Sequence, residues 1–219
     1  MIRQRILKLF RKLNLSNPLE YARELLAPLC KEEIDLMISE CKDCKTCSNC
    51  DKRITIGNPN ANYLIINDNA TDNEEINDYL KDIIRVAEIP EDDVFIINSI
   101  SCVLKKTFGD ETIIRLPTRS EAMNCKHFVD YAIRFVNPRV IICMGTTSLA
   151  MYCKNDVTIK DVKGKFIEIN GYKALVTHSV KDLFGFTEYY SENQVEEITE
   201  SVLNDFIEAK RYIDTLRKE

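Results

Sequence analysis

A chain of 219 residues, 45% hydrophobic and 30% charged, suits one α/β domain with an extension in a soluble globular protein. No apolar run approaches the roughly 18 residues that a bilayer span needs, so no membrane partner is expected. The formal net charge of −5 excludes phosphate tracking by an overall positive field, and any DNA contact has to come from a local patch.

Residues 1–12 carry Arg3, Arg5, Lys8, Arg11 and Lys12 with no acid among them. Ile2, Ile6, Leu9, Phe10 and Leu13 recur at near-helical spacing, which predicts a basic amphipathic helix. It serves as a helix packed on the domain, as an arm for DNA or a protein partner, or as an organellar transit peptide. Asn17-Pro18, leading straight into another helix, argues against the last. That second helix is expected over Leu19–Cys30 and a third over Glu32–Glu40. The body then alternates strand and helix: strands at Asn62–Asn67, Val94–Asn98 and Arg139–Cys143, helices at Glu74–Glu88 and Ser120–Val136. Gly145 marks a turn into a short helix through Met151. Continuous apolar strands separated by helices call for a parallel sheet covered on both faces. Lys165–Ile169 and Tyr172–Val176 flank Asn170-Gly171, a pair suited to a type I′ hairpin. Ser191 and Gln194 form a capping-box pattern at the start of a final helix reaching about Leu216. The expected fold is a three-layer α/β sandwich with a central, mainly parallel sheet of about four strands, plus N-terminal helices. Residues 1–36 form a helical extension and residues 37–219 the α/β domain.

Nine cysteines require an explanation. No secretory signal pattern opens the chain, so a reducing, cytoplasmic setting is expected and a disulfide framework is not. Cys30, Cys143 and Cys153 lie in apolar surroundings and read as small core residues. Cys41, Cys44, Cys47 and Cys50 form overlapping C-x-x-C steps, and such a run can close a tetrahedral zinc site unaided. The alternative recruits Cys102, just past a strand, and Cys125, in the first turns of a helix. Thiolates gathered from separated segments suit a [4Fe–4S] cluster.

The order of segments resembles the iron–sulfur, family-four-like branch of the uracil-DNA glycosylase superfamily. The anchors are Cys41-Lys-Asp-Cys44, Gly57-Asn58-Pro59-Asn60-Ala61, Asn98 followed by Cys102, and Arg115-Leu-Pro117-Thr-Arg-Ser-Glu121-Ala122-Met-Asn-Cys125. Pro138-Arg-Val-Ile141-Ile-Cys-Met-Gly145, Val162-Lys-Gly164-Lys165-Phe166 and His178-Ser179 complete the series over roughly residues 37–190. The resemblance implies Cys41, Cys44, Cys102 and Cys125 as cluster ligands. It also implies flipping of a base out of DNA, an Asn reading the base edge (Asn98) and a His stabilising the departing base (His178). Asn67-Asp68-Asn69-Ala70-Thr71 stands where the family has G-E-x-P-G. Asp68 thus falls at the position of a catalytic carboxylate and Asn67 beside the substrate, without the glycines.

The family's P-F-V-G segment, which stacks a Phe on the base, has no counterpart. Tyr79 and Phe108 are the aromatic residues expected within reach of that gap. No Lys or Arg occurs from Asp182 to Ala209. Asn98 also reads as a turn cap, His178 as a satisfied core or surface residue, Asp68 as a loop acid, and His127 as structural. Three functions stand side by side: a catalytically weak or inactive DNA- or partner-binding component of replication or repair, an active divergent glycosylase for uracil or another modified base, and a zinc- or cluster-stabilised α/β protein of unrelated role.

Overall fold

The computed structural model describes residues 18–43, 50–108, 111–153, 157–184 and 191–218. The basic helix expected over residues 1–12, together with Cys44 and Cys47, lies outside them.

Helix α1 (Pro18–Glu40) is one continuous element, where the sequence pattern suggested two. Pro28 sits inside it on an exposed face. A proline there removes one helical hydrogen bond, and the helix persists because tertiary packing of Ala27, Ile34 and Ile38 outweighs that local loss. The division expected at residue 36 falls inside this helix. The sheet is built from β1 (Ile56–Gly57), β2 (Tyr63–Asn69), β3 (Val94–Ile100), β6 (Val140–Met144), β7 (Phe166–Ile169) and β8 (Tyr172–Thr177), in the order β1-β3-β2-β6-β8-β7. The four inner strands are mutually parallel, and β1 and β7 pair antiparallel at the edges, giving six strands instead of about four. The two extra strands are short edges. β7 comes from the expected Asn170-Gly171 hairpin, with φ of 51° and 87° at the two turn residues. A separate hairpin joins β4 (Lys105–Phe108) to β5 (Glu111–Ile114).

Strand alternation sends side chains to two cores. Leu64, Ile66, Phe95, Ile97, Ile141 and Cys143 face α1, α3 (Arg119–Val136) and the short helices α4 (Gly145–Ala150) and α5 (Ile159–Val162). Tyr63, Ile65, Val94, Ile142 and Leu175 face α2 (Glu74–Val86) and α7 (Glu192–Leu216). Helix α2 buries Leu80, Ile83 and Ile84 on one side. A final short helix, α6 (Lys181–Phe184), follows β8.

Two motifs explain how the chain enters these elements. Gly57 has φ of +98°, and a Cβ there would drive into the Val94 carbonyl oxygen. Only glycine allows β1 to approach β3 this closely. Asn58 then closes the turn, donating its N–H to Val94 O (2.9 Å) and its amide to Asp92 O (2.6 Å), while its Oδ1 accepts from Asn60 N (2.9 Å). At the start of α3, Arg115 forks onto Glu121 through Nη1 (2.9 Å) and Nη2 (2.5 Å), and Glu121 also completes the capping box with Thr118.

Candidate functional site

The carboxyl ends of the parallel strands β2, β3, β6 and β8 converge, as they do where open α/β sheets bind ligands. Asn67 and Asn98 are direct register partners on β2 and β3. Asn67 Nδ2 donates to Asn98 Oδ1 at 3.1 Å, and Asn67 Oδ1 accepts from Asp68 N at 3.0 Å. Both line a cavity of about 270 Å3 between the β1–β3 edge and α2, whose walls include Ile54, Ile56, Leu80, Ile84, Val94 and Ile96. Arg53 and Lys81 also line it, and Arg53 Nε donates to Thr71 O at 3.2 Å. None of its lining residues, among those described, is aromatic.

Asp68, the next residue along β2, points to the opposite face. Its carboxylate accepts from Thr147 N at 3.0 Å, where α4 begins. Gly145, with φ of +77°, makes room for it; a Cβ there would lie 2.6 Å from Asp68 Cγ. Burial pushes the Asp68 carboxyl above its ordinary range, opposed by hydrogen bonds from Thr147 and Ser179 and by the charge of Lys181. Ser99 hydroxyl bridges the carbonyls of Asn67 and Asp68 and pins the strand end.

His178 follows β8. Its ring is largely buried, Nε2 has no hydrogen-bond partner among the described residues, and Nδ1 stands 4.0 Å from Asp182 Oδ2, too long for a hydrogen bond. Burial, then the nearby charge of Lys163, lowers its pKa and favours the neutral imidazole. His178 does not line the cavity that holds Asn98. The expected site residues thus divide: Asn67 and Asn98 together, Asp68 on the other face, His178 on a third strand end. Tyr79 does not line the cavity either, and its hydroxyl donates to Thr199 Oγ1 at 3.4 Å. The Phe108 side chain lies outside the described residues.

Sequence reasoning missed Lys181. Its Nζ donates to Ala70 O at 3.0 Å, tying α6 to the loop after β2. Burial brings its pKa down to about 8, against the pull of Asp68, Asp72 and Asp182. Asp182 is pushed up to about 6 by burial and by Asp68. Lysine is ordinarily exposed, so no signal in the sequence marks this one as partly buried.

Cys41 follows the end of α1, and Cys102 follows β3 in a bridge to Lys52. Lys52 Nζ donates to Cys41 O at 2.6 Å. Cys41 and Cys50 pack against the core cluster that contains Cys102 and Cys125. His127, two residues past Cys125, stands 3.8 Å from Asp43 and is half exposed. Among the described residues no three His, Cys, Asp or Glu side chains form a closed metal-holding group.

A sequence model of the Uracil DNA glycosylase superfamily matches residues 57–200. The chain belongs to the uracil-DNA glycosylase superfamily. It is also 29% identical over 136 residues to the Type-4 uracil-DNA glycosylase of Thermotoga maritima, across 61% of this chain and 64% of that protein. The match therefore spans just under two-thirds of that relative's length. The chain is a divergent, family-four-like member of the superfamily, and the parallel sheet flanked by helices accords with it. No helix among the described residues is long and apolar enough to cross a membrane.

Proposed function

We propose that this protein binds DNA and accommodates a flipped base at the Asn67–Asn98 cavity, with weak or absent excision of uracil. The observation that carries this reading is the cavity itself. It holds the amide at the base-reading position, but its described lining contains neither an aromatic ring nor His178. Base–aromatic stacking contributes about 1–3 kcal/mol per base, so a pocket without a ring loses a large share of the energy that holds a flipped base. Asp68, the one carboxylate at the catalytic position, already accepts from Thr147 N on the other face of the sheet. His178, held neutral by burial, remains the group suited to meet a departing base.

The same reading gives Cys41, Cys44, Cys102 and Cys125 to a [4Fe–4S] cluster. The thiol chemistry fits, and three of the four come from the end of α1, the segment after β3 and the buried face of α3. Cys44 lies outside the described residues. Such a cluster would cross-link segments distant in sequence and hold α1 against the sheet, and its thiolates suit a reducing cell interior.

A single-turnover assay with excess protein on single- and double-stranded uracil oligonucleotides, beside a salt-dependent binding titration, tests the function. Binding that weakens with salt, with little or no cleavage, is expected. Robust cleavage abolished by His178→Ala would establish an active glycosylase instead.

A further inference from the structure

Several backbone donors at the carboxyl end of β2 are already committed. Asp68 N donates to Asn67 Oδ1 at 3.0 Å, Ala70 N to Ile100 O at 2.8 Å, and Asn73 N to Thr71 Oγ1 at 3.1 Å. Side chains therefore carry more of the task of holding a phosphate there. Arg53 is placed for it. Its own N–H donates to Ser101 O at 2.8 Å, just past β3, and its Nε donates to Thr71 O at 3.2 Å. These two bonds hold an exposed side chain at the ends of β2 and β3, on the wall of the cavity that contains Asn67 and Asn98. Nη1 and Nη2 have no hydrogen-bond partner among the described residues, and no described carboxylate lies within ion-pair distance of Arg53. Neighbouring cations are engaged: Lys105 with Asp72 (2.8 Å), Lys81 with Asp78 (2.7 Å) and Lys181 with Ala70 O (3.0 Å). Glu91, the acid in the cavity lining, precedes β3 and stands at the other end of that strand.

We infer that Arg53 is a phosphate-binding residue: its guanidinium fork takes the DNA phosphate next to the nucleotide whose base enters the Asn67–Asn98 cavity. This deepens the DNA-binding reading and rests on it. With Nε on the Thr71 carbonyl, the edge between Nη1 and Nη2 remains, and its parallel N–H groups match two oxygens of a phosphate. The bond at Nε also removes part of the side-chain freedom that binding would otherwise cost. In a chain of net charge −5, a contact of this kind supplies the local attraction that the overall field does not.

The test uses the full chain and a single-stranded oligonucleotide with one uracil, in which one phosphate at a time is replaced by a neutral methylphosphonate. Arg53→Gln removes the charge but keeps an amide donor for Thr71 O, and Arg53→Lys keeps the charge without the fork. Arg139→Gln is the control, because Arg139 is exposed at the amino end of β6. Arg53→Gln should bind about tenfold more weakly and flatten the slope of log affinity against log salt by about 0.7. Arg53→Lys should keep the slope and still lose affinity severalfold, which separates a lost contact from a lost fold. A methylphosphonate beside the uracil should weaken the wild type and add little to the loss in Arg53→Gln. An unchanged slope in Arg53→Gln, an equal loss in Arg139→Gln, or losses from the methylphosphonate and Arg53→Gln that simply add would overturn the inference. A wild type that binds no DNA sinks the broader reading as well, whereas salt-dependent binding indifferent to Arg53 sinks this assignment alone.

Discussion

The two ends of β2 carry comparable motifs with opposite fates. At its amino end, Gly57-Asn58-Pro59-Asn60-Ala61 keeps every anchor of the family resemblance. At its carboxyl end, Asn67-Asp68-Asn69-Ala70-Thr71 has none of the expected glycines. The geometry says why the first resists change: Gly57 has φ of +98° and abuts the Val94 carbonyl, so the sheet itself demands it. Nothing in the fold makes the same demand at residue 67. Asn67 is an ordinary strand residue whose side chain is satisfied by Asp68 N and Asn98. A glycine the backbone requires stays with the fold; a glycine that only admits a ligand is free to go when the ligand changes.

The contrast breaks if the two ends respond alike to substitution. Gly57→Ala forces a Cβ into backbone at a positive φ and should cost about 3 kcal/mol or more of unfolding free energy. Asn67→Gly loses one side-chain hydrogen-bond pair and some backbone restraint, and should cost about 1 kcal/mol. Urea denaturation of both variants measures the difference, and similar losses would mean that the carboxyl end is as structurally constrained as the amino end.

The cysteines sharpen the comparison between scaffold and site. Cys102→Ser and Cys125→Ser should abolish the brown absorbance of a [4Fe–4S] cluster and much of the stability, while Cys143→Ser should keep the colour. Cys143 is wholly buried, its Sγ 3.2 Å from Ser148 Oγ, and burial pushes its thiol up to about 12. Iron and sulfide analysis after anaerobic purification decides it; colourless protein with stoichiometric zinc would refute the cluster.

Much of this fold was legible because its signals are local. Apolar runs marked the strands, Asn170-Gly171 the hairpin, and Ser191 with Gln194 the cap of α7, which forms that capping box. The motif from Arg115 to Cys125 was legible as a pattern, and the structure adds its cause: a guanidinium fork and a helix cap sharing Glu121. The β4–β5 hairpin was missed because its strands, Lys105–Phe108 and Glu111–Ile114, lack a long apolar alternation. Strand alternation alone could have separated Asn67 from Asp68, since neighbours on a strand face opposite ways. The partly buried setting of Lys181 comes from packing between distant segments and leaves no periodic trace.

That Lys181 corner gives the smallest effect and a sign to test. Asp182 titrates near 6 in the folded protein and near 3.8 as an isolated group. Between about pH 4 and 6 the folded state therefore holds a proton that the unfolded state has released, and this group's contribution to stability falls as pH rises. His178 acts the other way, because its pKa is lowered by burial and by Lys163: the folded state releases its proton first, and stability rises with pH up to the ordinary histidine value of 6.5. Lys181, brought from 10.5 to about 8, also raises stability with pH, but only above about 8. Asp182→Asn removes the one opposing contribution of the three. The slope of urea midpoints against pH, across about pH 4 to 6, should be more positive in the variant than in the wild type. Parallel slopes would mean that Asp182 ionises as freely in the folded protein as in the unfolded chain, and that the Asp68–Lys181–Asp182 corner is open to water.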